Sequence, residues 1–430
     1  MAENKKLNCN DGRKYKILML CDHPLAPSGV GIQSNIMIQS MLKTGKYQFR
    51  VFGGAVKHAN YQTIKVDPYG DDFIIAPVDG FGDPMKLRLA IASEKPDAIL
   101  LFTDPRFFIW IFEMEDEVHD VCPIAYNHIW DEEPYPSFNE QLYEATDLIN
   151  CISWKTYELV HPHFPEKTNY IPHALSTDVF KKLPKHETRE YKKQLLGEGY
   201  ANSFVGLWVN RNARRKRPGD LLIAWKMFLD KLQENHGHKD AVLIVHTDPL
   251  DSEGPNLYKQ IEMLGIVDNV FISKEKLDFE KMNVLHNVSD FCINISNAEG
   301  FGLATLEALY TGTPIIATKT GGLTRQVENP DTGEQYGVGM DPDLRTMVGS
   351  QTVPFIMEDH VRHDTIANAM TKLFELGAGG RDALGMRGQA YAHKAFSLKA
   401  LGKAWDETLE KCILDFKANQ DKPRYKMTAL

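Results

Sequence analysis

The sequence of 430 residues contains no long hydrophobic run and no segment that resembles a secretory leader. Its apolar stretches fall well short of the roughly 18 residues that a membrane-spanning helix requires. Residues 1–13 are polar and lack the apolar core of a signal peptide. These absences argue against helical membrane spans and predict a cytoplasmic location, while peripheral contact with a membrane stays open.

Cysteine is also scarce, and basic residues do not outnumber acidic ones. The cysteines are scattered and show no spacing typical of metal ligands, so we expect buried free thiols. The net charge of -9 lacks the basic excess with which proteins bind a phosphate backbone, which argues against a nucleic-acid partner. No internal repeat or low-complexity tract is present. The six cysteines are Cys9, Cys21, Cys122, Cys151, Cys292 and Cys412.

What the sequence does contain is the pattern of an α/β protein. A chain of 430 residues is too long for one ordinary core and suits two domains. Short apolar runs alternate with helical segments, which predicts parallel sheets. The predicted strands are Tyr15–Cys21, Phe49–Phe52, Phe73–Ala76, Ala98–Phe102, Pro123–Tyr126, Leu148–Ile152, Asn169–Ile171, Phe204–Val209, Ala241–Val245, Val270–Ser273, Phe291–Ile295 and Pro314–Ala317. Residues 181–199 are charged and predict a helical linker, and the last predicted helix covers residues 398–416.

The most informative stretch follows the predicted strand Phe291–Ile295. Glu299 lies in a loop at the carboxyl end of this strand, where open α/β sheets bind ligands. Gly300 and Gly302 let backbone N–H groups approach a ligand at the start of the next helix. Glu307 lies inside that helix, so both carboxylates could face one ligand. The alternative is that Glu299 caps the helix and Glu307 is solvated.

A basic cluster follows the predicted strand Phe204–Val209. Five of the seven residues from Arg211 to Arg217 are basic, and Pro218 begins the next helix. A run of charge is often only a solvated face. In an acidic chain, at the carboxyl end of a strand and the start of a helix, the cluster predicts an anion-binding site.

A glycine-containing loop follows the first strand. Gly29 and Gly31 match part of a dinucleotide-binding pattern, but Ser34 stands in place of the third glycine. No acidic residue stands at the end of the next strand, where dinucleotide-binding proteins carry the side chain that binds the ribose. A NAD-linked oxidoreductase is therefore disfavoured. A plain tight turn is the structural alternative for this loop.

Two further features of the sequence are candidates for chemistry. His128 comes shortly after a predicted buried strand and is a candidate cleft residue, although a lone histidine is often structural. Residues 329–354 form a predicted polar insertion, in which Asp341 and Asp343 match a bare Asp-x-Asp metal motif. The motif is too short, and no strand end presents it, so we assign no metal ligand.

The stretch from Glu299 to Ala308, followed by residues 312–314 and 321–322, resembles the donor-site motif of retaining GT-B glycosyltransferases, in particular glycosyltransferase family 4. The spacing of Arg211 and Lys216 is similar to that of the family's basic residues. The resemblance implies an α/β GT-B fold of two Rossmann-like, doubly wound domains that face each other across a cleft.

The resemblance also implies domain boundaries. It predicts an acceptor-side domain over residues 1–185 and a nucleotide-sugar domain over residues 195–395. Residues 400–430 are expected to carry a helix that crosses back to the first domain.

The same resemblance implies roles for individual residues. Glu307 would bind the nucleotide ribose, and Glu299 would bind hydroxyls of the donor sugar. The backbone of Gly300, Phe301, Gly302 and Leu303 would lie near sugar and phosphate.

The basic residues and the first domain have implied roles as well. Arg211 and Lys216 would neutralise the diphosphate, with Arg214 or Arg215 as substitutes. His128 is similar to the family's cleft histidine. The loop with Gly29 and Gly31 would lie close to donor phosphate and acceptor.

The implied activity is transfer of a sugar from a nucleotide-diphosphate sugar to an acceptor, with retained configuration. The acceptor could be a glycan, a lipid-linked molecule or a small molecule. No cofactor or metal is implied beyond the donor itself. A sugar-nucleotide epimerase of the same fold and a non-catalytic nucleotide-sugar binding module remain alternatives. The sugar, the base and the oligomeric state are not determined by the sequence.

Overall fold

A computed structural model of the chain describes residues 12–419. Within them the chain forms two compact units. The first comprises residues 12–129, 135–174 and 398–419, and the second comprises residues 130–134 and 175–397. Parts of the predicted acceptor-side domain, residues 1–11 and 420–430, lie outside the described residues.

The first unit contains a sheet of eight strands in the order β3-β4-β2-β1-β5-β6-β7-β8. Every pairing is parallel except that of β3 with β4. Without the short β3, this is the doubly wound order in which the chain reverses direction beside its first strand. The strands are β1 (Tyr15–Asp22), β2 (Tyr47–Gly54), β3 (Ile64–Val66), β4 (Gly70–Pro77), β5 (Ala98–Thr103), β6 (Ile124–His128), β7 (Leu148–Cys151) and β8 (Thr168–Tyr170). The helices are α1 (Gly29–Leu42), α2 (Pro84–Glu94), α3 (Ile109–Phe112), α4 (Glu115–His119), α5 (Glu140–Glu144) and α6 (Trp154–Val160).

The second unit contains a parallel sheet in the order β11-β10-β9-β12-β13-β14 and an antiparallel hairpin of β15 and β16. The six-stranded order repeats the doubly wound pattern of the first unit. The strands are β9 (Phe204–Val209), β10 (Ala241–His246), β11 (Val270–Ser273), β12 (Phe291–Asn294), β13 (Ile315–Thr318), β14 (Gly337–Met340), β15 (Leu344–Val348) and β16 (Ile356–His360). The helices are α7 (Lys185–Leu196), α8 (Pro218–His236), α9 (Leu257–Leu264), α10 (Phe279–Asn287), α11 (Leu303–Thr311), α12 (Thr324–Val327), α13 (His363–Glu375) and α14 (Gly377–Ala395).

The core of the second unit explains why its central strands are continuous apolar runs. Helices cover the sheet, so strands such as β12 are buried at every position. Trp208, Trp225 and Phe228 are all fully buried. The indole N–H of Trp225 donates to the carbonyl of Asn269 at 3.1 Å, which satisfies the one polar atom of that ring.

The last helix, α15 (Leu398–Asn419), belongs to the first unit, which confirms the predicted return of the chain. Its residues Trp405, Leu409 and Ile413 are buried. On its polar side, the ammonium of Lys46 lies 3.0 Å from the carboxylate of Asp406. The apolar stripe supplies most of the docking energy, because partly exposed ion pairs contribute at most about 1 kcal/mol.

The predicted polar insertion at residues 329–354 contains two strands that the sequence analysis did not predict. It contains β14, which extends the main sheet, and β15, which pairs with β16. The residue pattern does not indicate these strands. β14 has two glycines among its four residues, and β15 has large exposed side chains at Leu344 and Met347. Within residues 12–419, no helix is long and apolar enough to cross a membrane.

Candidate active site

The sheet order of the second unit brings two loops together that are far apart in sequence. β9 and β12 are neighbours, although β10 and β11 separate them along the chain. Their carboxyl ends form the switch point at which open α/β sheets bind ligands. The loop after β9 carries Lys216, and the loop after β12 carries Glu299. The ammonium of Lys216 donates a hydrogen bond to Oε2 of Glu299.

This ion pair is almost completely buried, with side-chain exposures of 8% for Lys216 and 13% for Glu299. Burial alone would raise the pKa of Glu299, but the charges of Lys216 and Arg215 outweigh it and hold this pKa at about 2. The amide of Asn294 also donates to Oε2 at 3.3 Å. Burial lowers the pKa of Lys216, and the carboxylate of Glu299 offsets part of that effect. Glu299 is therefore an ionised hydrogen-bond acceptor at neutral pH.

Each of the other basic residues of the cluster lies beside a different carboxylate. The guanidinium of Arg215 donates to the carbonyl of Ala298 at 3.0 Å and lies 3.6 Å from Asp131. Arg214 forms a two-pronged ion pair with Glu358 of β16, at 2.6 and 3.1 Å. Of these two guanidiniums, that of Arg215 lies beside the loop that carries Glu299.

Arg211 is placed differently from Lys216. Its guanidinium forms a two-pronged ion pair with Asp251, at 2.7 and 3.0 Å, and its side chain is 62% exposed. No contact of the described residues joins Arg211 to Lys216 or Glu299. The structure thus brings together Lys216 and Glu299 but leaves Arg211 on the surface of the same unit.

The loop that carries Glu299 leads into the N-terminus of α11. The N-cap is Gly302 with φ 90°, and no described side chain caps the helix. A Cβ on Gly302 would lie 2.4 Å from Leu323, so only glycine fits there. The amide of Gln326 binds the carbonyl of Phe301 at 2.7 Å and fixes the loop. The alternative that Glu299 caps the helix is therefore not observed. The backbone N–H groups of the first turn of α11, beginning at Leu303, have no acceptor within the helix.

Glu307 lies on α11, five residues beyond its N-cap, about 7.5 Å along the helix axis. Its Oε2 lies 2.9 Å from Nε2 of His286, a fully buried residue of α10. Nδ1 of His286 is buried without a hydrogen-bond partner among the described residues. The alternative in which Glu307 is a solvated helix residue is thus not observed. Its carboxylate is held from one side by an imidazole.

His246 and Ser273 lie at the carboxyl ends of β10 and β11. Nδ1 of His246 lies 2.9 Å from the hydroxyl of Ser273. Burial lowers the pKa of His246, and the charge of Glu307 acts in the opposite direction. His246 and Ser273 thus add polar groups near Glu307 at the same edge of the sheet. The sequence singled out neither His246 nor His286 for this site, because a histidine in a strand or helix carries no motif of its own.

Gly29 and Gly31 lie in the first turn of α1 and not in a loop. Ser28 caps α1, and its hydroxyl accepts a hydrogen bond from the N–H of Gly31 at 3.0 Å. Gly29 is exposed in the first turn. A Cβ on Gly31 would lie 2.7 Å from the carbonyl of His23, so close packing explains this glycine. The predicted glycine loop is therefore the capped start of α1.

His128 is the last residue of β6 and is completely buried. Its Nδ1 lies 3.0 Å from the hydroxyl of Tyr126, and its Nε2 lies 2.7 Å from that of Tyr143. Tyr126 donates to the carbonyl of Thr103, so Nδ1 carries the proton and Tyr143 donates to Nε2. Burial lowers the pKa of His128 to about 3. The surroundings favour the structural alternative for His128, because both ring nitrogens are already bonded away from any surface.

The Asp-x-Asp motif makes other contacts. Asp341 lies 3.4 Å from the ammonium of Lys319, and Asp343 accepts a hydrogen bond from the backbone N–H of Arg362 at 2.8 Å. Within residues 12–419, no group of three or more histidine, cysteine, aspartate or glutamate side chains is arranged to hold a metal ion.

Part of the second unit matches a known protein family in sequence. Residues 197–343, which include Lys216, Glu299 and Glu307, match the family model "Glycosyl transferases group 1". N-acetyl-alpha-D-glucosaminyl L-malate synthase from Bacillus anthracis is 26% identical over 252 residues, which cover 56% of this chain and 59% of that protein. The match thus spans little more than half of that relative.

Two solved structures share the fold over nearly the whole chain. Sucrose-phosphate synthase from Thermosynechococcus elongatus has a TM-score of 0.71 at 16% identity and covers 94% of this chain and 100% of its own. HepE from Anabaena, in complex with UDP and glucose, has a TM-score of 0.66 at 17% identity and covers 92% of this chain and 100% of its own. Residues 197–343 thus match the glycosyl transferases group 1 model, and the chain shares the GT-B fold of these solved structures.

Proposed function

We propose that the chain transfers a sugar from a nucleotide-diphosphate sugar to an acceptor hydroxyl. The observation that supports this most is the buried pair of Lys216 and Glu299 beside the uncapped N-terminus of α11. A helix N-terminus offers backbone N–H groups and a partial positive charge, which suit a phosphate. The ammonium of Lys216 adds a full positive charge at the same place.

The residues of the switch point suit the separate parts of such a donor. Glu299, ionised because its pKa is about 2, accepts hydrogen bonds from sugar hydroxyls. Glu307, farther along α11, accepts hydrogen bonds from the ribose hydroxyls. Lys216 neutralises the diphosphate together with a guanidinium of the basic cluster. That guanidinium is Arg211, as the family resemblance implies, or Arg215, which already lies beside the Glu299 loop.

In the proposed step, the bond between the anomeric carbon and the diphosphate oxygen breaks through an oxocarbenium-like state. The acceptor oxygen forms the new bond on the same face of the sugar, and its proton passes to the departing phosphate oxygen. Configuration is therefore retained without a covalent enzyme intermediate. Lys216 accelerates the step because the negative charge on the phosphate grows as the bond breaks. Proton NMR of the product anomer tests this stereochemistry.

We also propose that transfer needs no metal ion. The support is the placement of Lys216 and Arg215 around the N-terminus of α11, which supplies positive charge from the protein itself. Activity should be unchanged in excess EDTA. A loss that added Mg²⁺ or Mn²⁺ restores would contradict this proposal.

The first experiment is a donor screen by thermal shift with UDP-, GDP- and ADP-sugars. A ligand that binds the folded state raises the melting temperature, by mass action. UDP-glucose comes first, because neighbours of the same fold hold UDP or UDP-glucose. L-malate, which occurs in the name of the Bacillus anthracis relative, is the first small acceptor to add. Glycan and lipid-linked acceptors follow.

Release of nucleotide diphosphate then separates the candidate activities. A transferase releases the nucleotide only when an acceptor is present and forms a glycosylated product. Conversion of the donor to its epimer without an acceptor would point to a sugar-nucleotide epimerase. Binding without turnover with any acceptor would point to a binding module.

A further inference from the structure

Residues 130–134 follow β6 in sequence but pack within the second unit. Glu132 in this segment is completely buried. Its Oε2 accepts hydrogen bonds from the backbone N–H of Gly321 at 2.6 Å and from the hydroxyl of Thr320 at 2.7 Å. Its Oε1 accepts one from the N–H of Glu133 at 3.0 Å. Both carboxylate oxygens are thus used to hold backbone and side-chain donors in place.

The turn that Glu132 holds is in direct contact with the loop that carries Glu299. The N–H of Gly322 donates to the carbonyl of Glu299 at 2.9 Å. A Cβ on Gly321 would lie 2.1 Å from that same carbonyl oxygen, and one on Gly322 would lie 2.4 Å from Cα of Phe301. The two stretches therefore meet backbone to backbone, with no room for a side chain between them. In such close packing, a shift of the turn displaces the loop.

A carboxylate is an expensive group to bury, and burial raises the pKa of Glu132. The charged groups around it are Asp359, which opposes its ionisation, and Arg345. The cost is offset because the carboxylate accepts from three donors at once. An amide in its place would turn an NH₂ group toward one of those donors. The chemistry of this position thus fits glutamate better than glutamine.

We propose that Glu132 is a positioning residue for the donor site. It fixes the turn at residues 320–322 and, through that turn, the backbone from Glu299 to Gly302. Its loss would loosen Glu299 relative to Lys216 and to the N-terminus of α11. The effect on catalysis rests on the function proposed above, whereas the effect on the loop does not.

Hydrogen–deuterium exchange of the ligand-free protein tests the effect on the loop. In Glu132→Ala, amides of residues 299–302 and 320–322 should exchange at least tenfold faster than in the wild type, and Glu132→Gln should give a smaller increase. Glu133→Gln is the matched control in the same segment, because that carboxylate forms a partly exposed ion pair with Arg345 at 2.9 Å. This control should leave both stretches unchanged.

The proposal is overturned if Glu132→Ala speeds exchange only at residues 130–134 and 320–322 and leaves residues 299–302 as in the wild type. Should Glu132→Ala fail to fold, Thr320→Val takes its place. This variant keeps the shape of the side chain and removes one of the two bonds to Oε2. Thr320→Val should speed exchange of residues 299–302 by a smaller factor than Glu132→Ala. Thr320→Ser, which keeps the hydroxyl, should exchange at the wild-type rate.

Steady-state kinetics with UDP-glucose tests the catalytic consequence. Glu132→Gln should raise the donor KM at least tenfold and change kcat less, because the loop binds the donor. Lower kcat at an unchanged KM would mean only a smaller active fraction and would contradict the positioning role. If the wild type neither binds nor uses UDP-glucose, UDP-glucose is not its donor, while the exchange experiment still decides whether Glu132 positions the loop.

Discussion

Lys216 and Glu299 form a buried ion pair although 83 residues separate them in sequence. The pair joins the loop after β9 to the loop after β12, at the switch point of the second sheet. Removing one member leaves the other charge buried and unpaired, which is costlier than losing an exposed pair. This relationship allows tests that separate binding chemistry from folding.

Lys216→Met should lower kcat/KM at least tenfold, because the ammonium stabilises the charge of the departing diphosphate. A tenfold loss corresponds to about 1.4 kcal/mol of transition-state binding. The measurement is the rate of nucleotide release with acceptor present. Lys226→Met is the control, since Lys226 forms an exposed pair with Asp230 on α8. Near-normal transfer by Lys216→Met would remove Lys216 from the site.

Glu307→Ala should also lower kcat/KM at least tenfold, with most of the loss in the donor KM, because the carboxylate binds the ribose in the ground state as well. Nucleotide binding measured by calorimetry should weaken in parallel. His286→Gln keeps a hydrogen-bond donor near Glu307 and should lose less than His286→Leu. Equal effects of the two His286 variants would show that the imidazole only fills space.

The ion pair should make stability depend on acid pH. The pKa of Glu299 is held at about 2, below its ordinary value of 4.5, so its ionisation stabilises the fold above pH 4.5. This contribution, about 3 kcal/mol, is lost as the pH falls from 4.5 towards 2. The difference in free energy of unfolding between wild type and Glu299→Gln should shrink over that range in denaturant titrations. A constant difference would contradict the low pKa.

Arg215→Ala should reduce donor affinity more than Arg211→Ala, because Arg215 lies beside the Glu299 loop. Arg211 forms an exposed pair with Asp251, which stabilises the fold by at most about 1 kcal/mol and is easily exchanged for a phosphate. Competition binding with UDP measures both variants. The reverse order would show that Arg211 leaves Asp251 to bind the diphosphate.

His128→Phe should destabilise the first unit and leave the chemistry intact. The substitution leaves the hydroxyl of Tyr143 without its acceptor, which costs about 1–3 kcal/mol, while the hydroxyl of Tyr126 keeps its bond to the carbonyl of Thr103. The melting temperature should fall, while kcat/KM per folded molecule stays within threefold of the wild type. A loss of a hundredfold or more in correctly folded protein would restore His128 as a catalytic candidate.

The buried strands were the easiest part of the fold to predict. β9 begins and ends where its apolar run does, because a strand covered on both faces must be apolar throughout. β14 and β15 were missed, since their stability comes from pairing with neighbouring strands and not from their own composition.

Within the site, local motifs identified Glu299, Glu307 and Lys216 as candidates, because their chemistry depends on a strand end and a helix start that the sequence marks. The sequence could not place Arg211 on Asp251, bury His128 between two tyrosines or bring Glu132 to Gly321. Asp251 lies 40 positions from Arg211 in sequence, and the two tyrosines lie 2 and 15 positions from His128. Gly321 lies 189 positions from Glu132.

By itself, then, the sequence determined the α/β pattern, the glycine loop and the acidic and basic residue types at the strand ends, because each of these follows from hydrophobic period and backbone geometry. Only the tertiary structure decided which of those charges are buried together and which stay in solvent. Burial and partner choice are set by the order of strands in the sheet, and that order is a property of the whole chain.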